Sequence, residues 1–206
     1  MMQGFAYFPS LVYRDEKPEW VDYLLKVTKK HYEWIEQNRP DDQKSWPMLQ
    51  TAQMAGDPEL KFLVDYLVAA SSDILRDQGY AVDKYDFHLS GLWGQDIQCH
   101  GVTNMHVHKN SQMSGWIFLE TPEGGSYPIY QDTRINKTMV ELDYDQGPDV
   151  TNATNAIHFN NVVPGSVIFA NSWMPHQMTT SRADSKTKTI HFIVSHKDKE
   201  QQCCTS

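Results

Sequence analysis

Three histidines offer the clearest chemistry in this sequence. His106 and His108 stand two residues apart, and a run typical of a β-strand follows at residues 113–119. In an extended chain the side chains of residues i and i+2 lie on the same side, so the two imidazoles would face one point in space. Imidazole is a common protein ligand for transition metals. The pair therefore predicts half of a metal site.

The rest of the site must come from another part of the chain, and His176 is the first candidate. An apolar segment at residues 166–170 precedes it, and a further apolar segment at residues 188–194 closes the pattern. A closed jelly roll brings the end of an early strand beside the start of a late one. We therefore expect His106, His108 and His176 to surround one cavity inside a barrel.

Two kinds of element would position these side chains. Residues 18–37 and 57–79 carry apolar residues at the i, i+3, i+4 and i+7 spacing of helices, and each has a proline in its first turn. From residue 80 onward, short apolar segments alternate with turns rich in glycine and proline. The sequence thus predicts a mainly β protein, a sandwich or a jelly roll, with N-terminal helices packed on one face.

The predicted organisation is a single integrated unit. Residues 1–80 form a helical supporting region, residues 81–198 form the β core, and residues 199–206 form a flexible tail. The polar segment at residues 133–156 is long enough to be a lid over the site.

Composition excludes several classes of protein. The chain has 206 residues and a net charge of −8, from 18 basic and 26 acidic residues, which disfavours nucleic acid and anionic membranes as partners. It has only three cysteines, which suits a reducing compartment. We find neither a signal peptide nor an apolar run of membrane-spanning length. We expect a cytoplasmic protein, a monomer or homodimer, that acts on a small molecule or an amino-acid side chain.

The span from about residue 93 to residue 194 resembles the iron(II)- and 2-oxoglutarate-dependent dioxygenases, and most closely those of bacteriophages and marine bacteria. A phage-encoded protein in the host cytoplasm would fit this resemblance. The shared pattern is an ordered series of short motifs. In this chain the series reads His106-Val107-His108, Ser114-Gly115, Asp132-Thr133-Arg134, Pro164-Gly165, His176 and Lys188.

The resemblance implies that the β core is a double-stranded β-helix (a cupin-like jelly roll). It also implies an oxidoreductase that uses Fe(II), 2-oxoglutarate and O2, hydroxylates its substrate, and releases succinate and CO2. Its metal ligands would be His106, His108 and His176. The wider superfamily usually has an acidic residue at the position of His108. Asp132 is therefore an alternative third ligand, and a site with two histidines and a water is a further alternative.

The resemblance also implies a cation for the far carboxylate of 2-oxoglutarate. Lys188 stands where the family has arginine, and Arg134 or Arg182 would replace it if Lys188 points outward. Asn104 and Ser114 flank the site and are candidates for hydrogen bonds to the cosubstrate. The predicted cavity walls are aromatic: Trp116, Phe118 and Trp173.

Two other functions are compatible with the same residues. A cupin-like three-histidine metal dioxygenase would need no 2-oxoglutarate. A non-catalytic β-sandwich binding module would hold the histidines in its core, pointing apart. His191 lies on the opposite face of the last strand from Lys188, and we expect it to be a core or supporting residue rather than a ligand.

Overall fold

The computed structural model describes residues 10–43, 45–134 and 154–199. Its two α-helices are α1 (Val21–Gln37) and α2 (Lys61–Asp77). Its strands, in chain order, are β1 (Val12–Glu16), β2 (Met48–Gln50), β3 (Tyr85–Ile97), β4 (Met113–Glu120), β5 (Pro128–Gln131), β6 (Ala156–His158), β7 (Ser166–Asn171), β8 (His176–Met178) and β9 (Thr187–Asp198).

Both helices lie where the apolar spacing predicts them. Each follows a short 3-10 turn, Pro18–Trp20 before α1 and Pro58–Leu60 before α2. The Asp57 side chain accepts a hydrogen bond from the Glu59 backbone N–H at 3.0 Å and so caps the 3-10 turn before α2. Gly79 follows α2 with φ +92°, a left-handed conformation that favours glycine and ends the helix.

The strands form two antiparallel sheets. The larger sheet has the order β1-β7-β4-β9-β3-β2, and the smaller has the order β6-β5-β8. β9 lies between β4 and β3, and it pairs along most of its length with β3. The mainly β jelly roll with N-terminal helices is therefore confirmed.

The larger sheet separates two apolar layers. Side chains at alternate positions of β4, β7 and β9 point toward the helices, and those between them point into the space between the sheets. Leu24 and Leu63 pack with Ile117 and Phe192 in the helix layer. The inner layer consists of Ile97, Trp116, Phe118, Tyr130, Ile168, Ala170, Met174 and Met178. The inner layer is the one that meets the predicted site.

At Gly115 the neighbouring strands leave no room for a side chain. A Cβ atom at this position would lie 1.8 Å from the Ile168 carbonyl oxygen and 2.8 Å from the Phe192 ring. Glycine is therefore required where β4 crosses its neighbours.

Part of the predicted organisation falls beyond the described ranges. Residues 135–153 of the predicted lid and residues 200–206 of the predicted tail lie outside the described residues. Among the residues that are described, no helix has the length and apolar character needed to cross a membrane.

Candidate metal centre

The structure brings His106, His108 and His176 together. Each offers one ring nitrogen, and the three nitrogens lie within 4.8 Å of one another. Among the described His, Cys, Asp and Glu side chains, these three form the group with the spacing of a metal site. A sandwich module with divergent core histidines would not show this convergence.

Backbone hydrogen bonds set the positions of the three residues. His106 and His176 form an antiparallel bridge outside the longer strand pairs. The His108 N–H donates to the Ser172 carbonyl at 3.0 Å, so the second histidine is tied to the same turn that leads into β8. The ligand-bearing segments are thus joined by a ladder rather than by side-chain contacts alone.

Two of the imidazoles are oriented in the same way. The Nδ1 of His106 lies 2.7 Å from the Asn104 carbonyl oxygen, and the Nδ1 of His176 lies 2.8 Å from the Met174 carbonyl oxygen. Because a carbonyl can only accept, each Nδ1 carries the proton and each Nε2 keeps its lone pair. The His108 Nε2 lies 3.2 Å from the His176 Nε2. This arrangement presents Nε2 atoms to a common centre.

Burial keeps His108 and His176 neutral. The pKa of His176 is lowered to about 3, chiefly by loss of solvent and also by the neighbouring His106 and His108, while the Met174 carbonyl acts in the opposite direction. Burial, with a contribution from His106, lowers the pKa of His108 to about 4. A neutral imidazole is the form that binds a metal, so both rings are ready to do so near pH 7.

A fourth histidine lies in the same cluster. The His191 Nε2 is 3.2 Å from the His108 Nε2, and the His191 ring lies between Trp93 and Trp116 at centroid distances of 4.6 and 4.8 Å. Burial, and then the other histidines, lower its pKa well below the ordinary value. The sequence-based interpretation as a core residue misses this contact. Strand alternation is the sequence feature that could have indicated this contact, because it places His191 on the inner face of β9.

A cavity of about 290 Å³ opens beside the histidines. Two of the predicted site residues, Asn104 and Trp116, line it together with His106 and His191. Polar side chains occupy the same wall, and the Trp116 Nε1 donates to the Gln95 Oε1 at 3.0 Å. The remaining lining residues are Met48, Gln50, Trp93, Val102 and Thr103.

Three other predicted residues lie around the cavity rather than in its wall. Ser114 and Phe118 are buried at 1% and 0% exposure on β4, and neither belongs to the cavity lining. Trp173 is 46% exposed in the turn before β8 and does not line the cavity either. The prediction of an aromatic wall therefore applies to Trp116, with Trp93 as the aromatic residue that sequence reasoning missed.

Asp132 is not part of the histidine group. Its carboxylate accepts three hydrogen bonds from Arg134: from the backbone N–H to Oδ1 at 2.9 Å, from Nε to Oδ1 at 3.0 Å and from an Nη to Oδ2 at 2.6 Å. The Arg134 side chain is 61% exposed, whereas that of Asp132 is 10% exposed. The structure thus favours His108 over Asp132 as the third ligand, and it directs Arg134 to Asp132 rather than to the cavity.

The structure places Lys188 outside the lining of the cavity beside the histidines. Lys188 lies on the face of β9 that carries the helices, where its Nζ sits 4.6 Å from the centroid of the Tyr32 ring of α1. Its nearest carboxylates are those of Asp96 at 3.8 Å and Glu120 at 3.9 Å. Strand alternation is the physical reason: His191 points inward, so Lys188, three positions earlier, points outward.

The predicted cofactors can be tested against these residues. Three convergent imidazoles with free Nε2 atoms fit an Fe(II) ion and leave positions for other ligands. The described residues that line the cavity include no lysine or arginine, so a 2-oxoglutarate in this cavity would meet neutral donors there. Two suitable donors are buried without a hydrogen-bond partner in the described structure, the Trp93 Nε1 and the Tyr130 hydroxyl. The Tyr130 ring lies 5.8 Å from that of His176, and burial raises its pKa, so it keeps its proton.

Several solved structures share this fold. AviO1 from Streptomyces viridochromogenes has a TM-score of 0.61 at 12% identity, with 90% of each chain covered. HygX from Streptomyces hygroscopicus, solved with nickel and 2-oxoglutarate bound, has a TM-score of 0.54 at 11% identity over 90% of this chain and 83% of that chain. A prolyl-4-hydroxylase from Pseudomonas putida has a TM-score of 0.54 at 12% identity over 89% and 92%. At such identities the likeness concerns the fold.

The family comparison concerns the sequence itself. No curated protein matches the chain. The model of the family described as "Putative 2OG-Fe(II) oxygenase" matches residues 91–192, a span that contains all four clustered histidines. Together with the convergent imidazoles, this match shows that the chain belongs to the superfamily of oxygenases that use iron(II), 2-oxoglutarate and O2.

Proposed function

We propose that this enzyme hydroxylates a C–H bond of a small molecule or an amino-acid side chain. The observation that carries the proposal is the convergence of His106, His108 and His176 beside a cavity of about 290 Å³. That volume lies just below the range of about 300–1,000 Å³ usual for ligand sites. It suits a small reacting group rather than a large rigid ligand.

When bound, iron(II) supplies the activation of O2, with 2-oxoglutarate converted to succinate and CO2. The chain's own residues hold and shield this centre. Carbonyls at Asn104 and Met174 keep two imidazoles in the tautomer that offers Nε2. Trp116 is buried in the cavity wall, and its indole N–H donates to Gln95, which lines the same cavity.

The open side of the site has a different character. Val102, Met105 and Val107 are exposed at 44%, 39% and 43%, and they flank the histidine pair. Exposed apolar groups beside a cavity favour a substrate with an apolar part. The net charge of −8 favours a neutral or cationic substrate over a polyanion.

A direct test measures succinate formation from 2-oxoglutarate under O2 in the presence of Fe(II). The panel should contain free amino acids, short peptides with apolar side chains, and prolyl peptides, because one similar structure is a prolyl-4-hydroxylase. We expect succinate to form faster with one substrate class and to disappear in the His176→Ala variant and without O2. Substrate-dependent O2 uptake without succinate would favour the three-histidine dioxygenase that uses no 2-oxoglutarate. The absence of both succinate formation and O2 uptake across the panel would contradict the proposal.

We also propose a cellular location and an oligomeric state for the enzyme. We infer a cytoplasmic monomer or homodimer, because three sparse cysteines suit a reducing compartment. Light scattering during size-exclusion chromatography gives the oligomeric state, and a tetramer or larger assembly would contradict this inference.

A further inference from the structure

We propose that Gln95 binds the far carboxylate of 2-oxoglutarate through its side-chain N–H groups. This inference rests on the proposed function, since it concerns the cosubstrate of that reaction. It gives the cosubstrate a neutral anchor on β3 in place of a cation. The preference for a keto acid with a second carboxylate would then depend on one amide group.

The first argument is the orientation of the Gln95 amide. Its Oε1 accepts hydrogen bonds from the Trp116 Nε1 at 3.0 Å and from the Thr189 hydroxyl at 3.4 Å. An indole N–H can only donate, so the amide atom that faces Trp116 must be the oxygen. The orientation of the amide is therefore fixed, and its Nε2 faces away from both partners.

The second argument is that this Nε2 is a buried donor with no acceptor. Gln95 is 3% exposed and lines the cavity beside the histidines. Within the described part of the chain its Nε2 donates no hydrogen bond, yet the protein does not enclose it completely, as it does the Trp93 Nε1 and the Tyr130 hydroxyl. The Nε2 therefore meets the open space of the cavity. A ligand atom that accepts a hydrogen bond is favoured at that point.

The third argument is the distance of Gln95 from the histidines. The Trp116 ring lies 5.2 Å from the His176 ring and 4.8 Å from the His191 ring, measured between centroids, and its Nε1 contacts Gln95. One indole thus spans the interval between the histidines and the Gln95 amide. A keto acid held at the histidines and extended along this indole would bring its far carboxylate to Gln95.

The other polar residues of the cavity are less suited to this role. The described lining residues include no lysine or arginine, and the two further amides in the lining, those of Gln50 and Asn104, belong to exposed residues that water can reach. A hydrogen bond to a carboxylate is stronger than one between neutral groups, and stronger again where water is excluded. Gln95 is therefore the amide of this cavity from which a carboxylate gains most.

The experiment compares two keto acids on the full-length chain loaded with Ni(II), which binds such sites without reacting with O2. 2-Oxopentanoate has the carbon chain of 2-oxoglutarate but ends in a methyl group, so it offers Gln95 no carboxylate. Calorimetry at pH 8 measures the Kd of each. We expect the wild type to bind 2-oxoglutarate roughly tenfold to a hundredfold more tightly than 2-oxopentanoate, which is the range for hydrogen bonds to a charged group.

Two variants of Gln95 separate binding from structure. Gln95→Glu keeps the acceptor for Trp116 and Thr189 and replaces the donor with a negatively charged oxygen. Gln95→Met removes the donor and the acceptor at a similar side-chain size. Both should keep the affinity for 2-oxopentanoate within about threefold, because its methyl end makes no hydrogen bond. Gln95→Met should lose the preference for 2-oxoglutarate, and Gln95→Glu should reverse it.

The outcomes against the inference are distinct. Gln98→Met is the matched control, because Gln98 follows β3 and is not among the residues that line the cavity, and it should keep the wild-type preference. An unchanged preference in Gln95→Glu would overturn the inference. An equal loss of affinity for both keto acids would also overturn it, since that would show a purely structural role. Failure of the wild-type Ni(II) form to bind 2-oxoglutarate would instead contradict the proposed function itself.

Discussion

His106 and His176 hold each other through their backbones. The His106 N–H donates to the His176 carbonyl at 3.0 Å, and the His176 N–H donates to the His106 carbonyl at 3.0 Å. Two metal-ligand candidates that are far apart in sequence are therefore neighbours in one hydrogen-bonded ladder. The geometry of an antiparallel pair therefore sets the distance between the two backbone positions that carry these side chains.

The identity of the third ligand leads to a first prediction. His108→Ala should weaken Fe(II) binding roughly a hundredfold, or about 2.7 kcal/mol, because it removes an Nε2 from the cluster. Asp132→Asn should change Fe(II) affinity less than threefold, because Asp132 binds Arg134 outside the cluster. Anaerobic Fe(II) titration measures both. Loss of affinity in Asp132→Asn with no loss in His108→Ala would reverse the assignment.

The stability of the metal-free protein should depend on the protonation of His176. Its pKa is about 3 in the native state against 6.5 in the unfolded chain, so above pH 6.5 both states are neutral and its contribution is fully present. Below pH 6.5 only the unfolded state gains the proton, and stability falls. At pH 5 the loss from this residue is about 2 kcal/mol.

Urea unfolding at pH 7 and pH 5 measures that loss. The decrease in the free energy of unfolding between these pH values should be smaller by about 2 kcal/mol in His176→Asn than in the wild type. Equal decreases in the two proteins would show that His176 does not stay neutral in the native state.

The position of Lys188 leads to a prediction about cosubstrate binding. Lys188→Met should leave the KM for 2-oxoglutarate within about twofold of the wild type, because the ammonium lies on the helix side of the sheet. The same change should lower the free energy of unfolding by about 1–2 kcal/mol, because the buried Asp96 carboxylate loses a cation. Lys197→Met, at an exposed position of β9, is the control for stability. A large rise in KM would place the lysine at the cosubstrate after all.

Gly115 should be intolerant of any side chain. Gly115→Ala puts a methyl group 1.8 Å from the Ile168 carbonyl oxygen, which forces β4 and β7 apart and should cost about 3 kcal/mol or more. Gly56→Ala is the matched control, because nothing lies within 4 Å of its added Cβ, and it should change stability by less than about 0.5 kcal/mol. Thermal unfolding compares the two, and similar melting temperatures would contradict the prediction.

Much of this arrangement could be predicted from local patterns. The two helices follow from apolar spacing and from proline and glycine at their ends. The pair His106 and His108 follows from strand geometry, and His176 follows from the order of motifs. These are features that neighbouring residues determine by themselves, so one sequence is enough to find them.

Other parts depend on which side of the sheet a residue faces. The interpretation of Lys188 relied on its place in a motif, because strand alternation separates Lys188 from His191 without showing which of the two faces the cavity. The contacts of His191 with Trp93 and Trp116 involve two neighbouring strands, which no local pattern specifies. The sequence also could not decide between His108 and Asp132 as the third ligand. That choice depends on which side chains lie near His106 and His176 in space, and there Asp132 binds Arg134 instead.

The alternation along β9 also governs which genetic changes the enzyme can survive. Loss or gain of one residue of β9 before His191 would exchange the faces of the side chains that follow. Ile190 and Phe192 would then point toward the cavity, and His191 would point toward the helices. One such deletion would affect both layers at once, whereas a substitution affects a single position. Natural variants of this enzyme should therefore differ by replacement within β9 and by changes of length only beyond its ends.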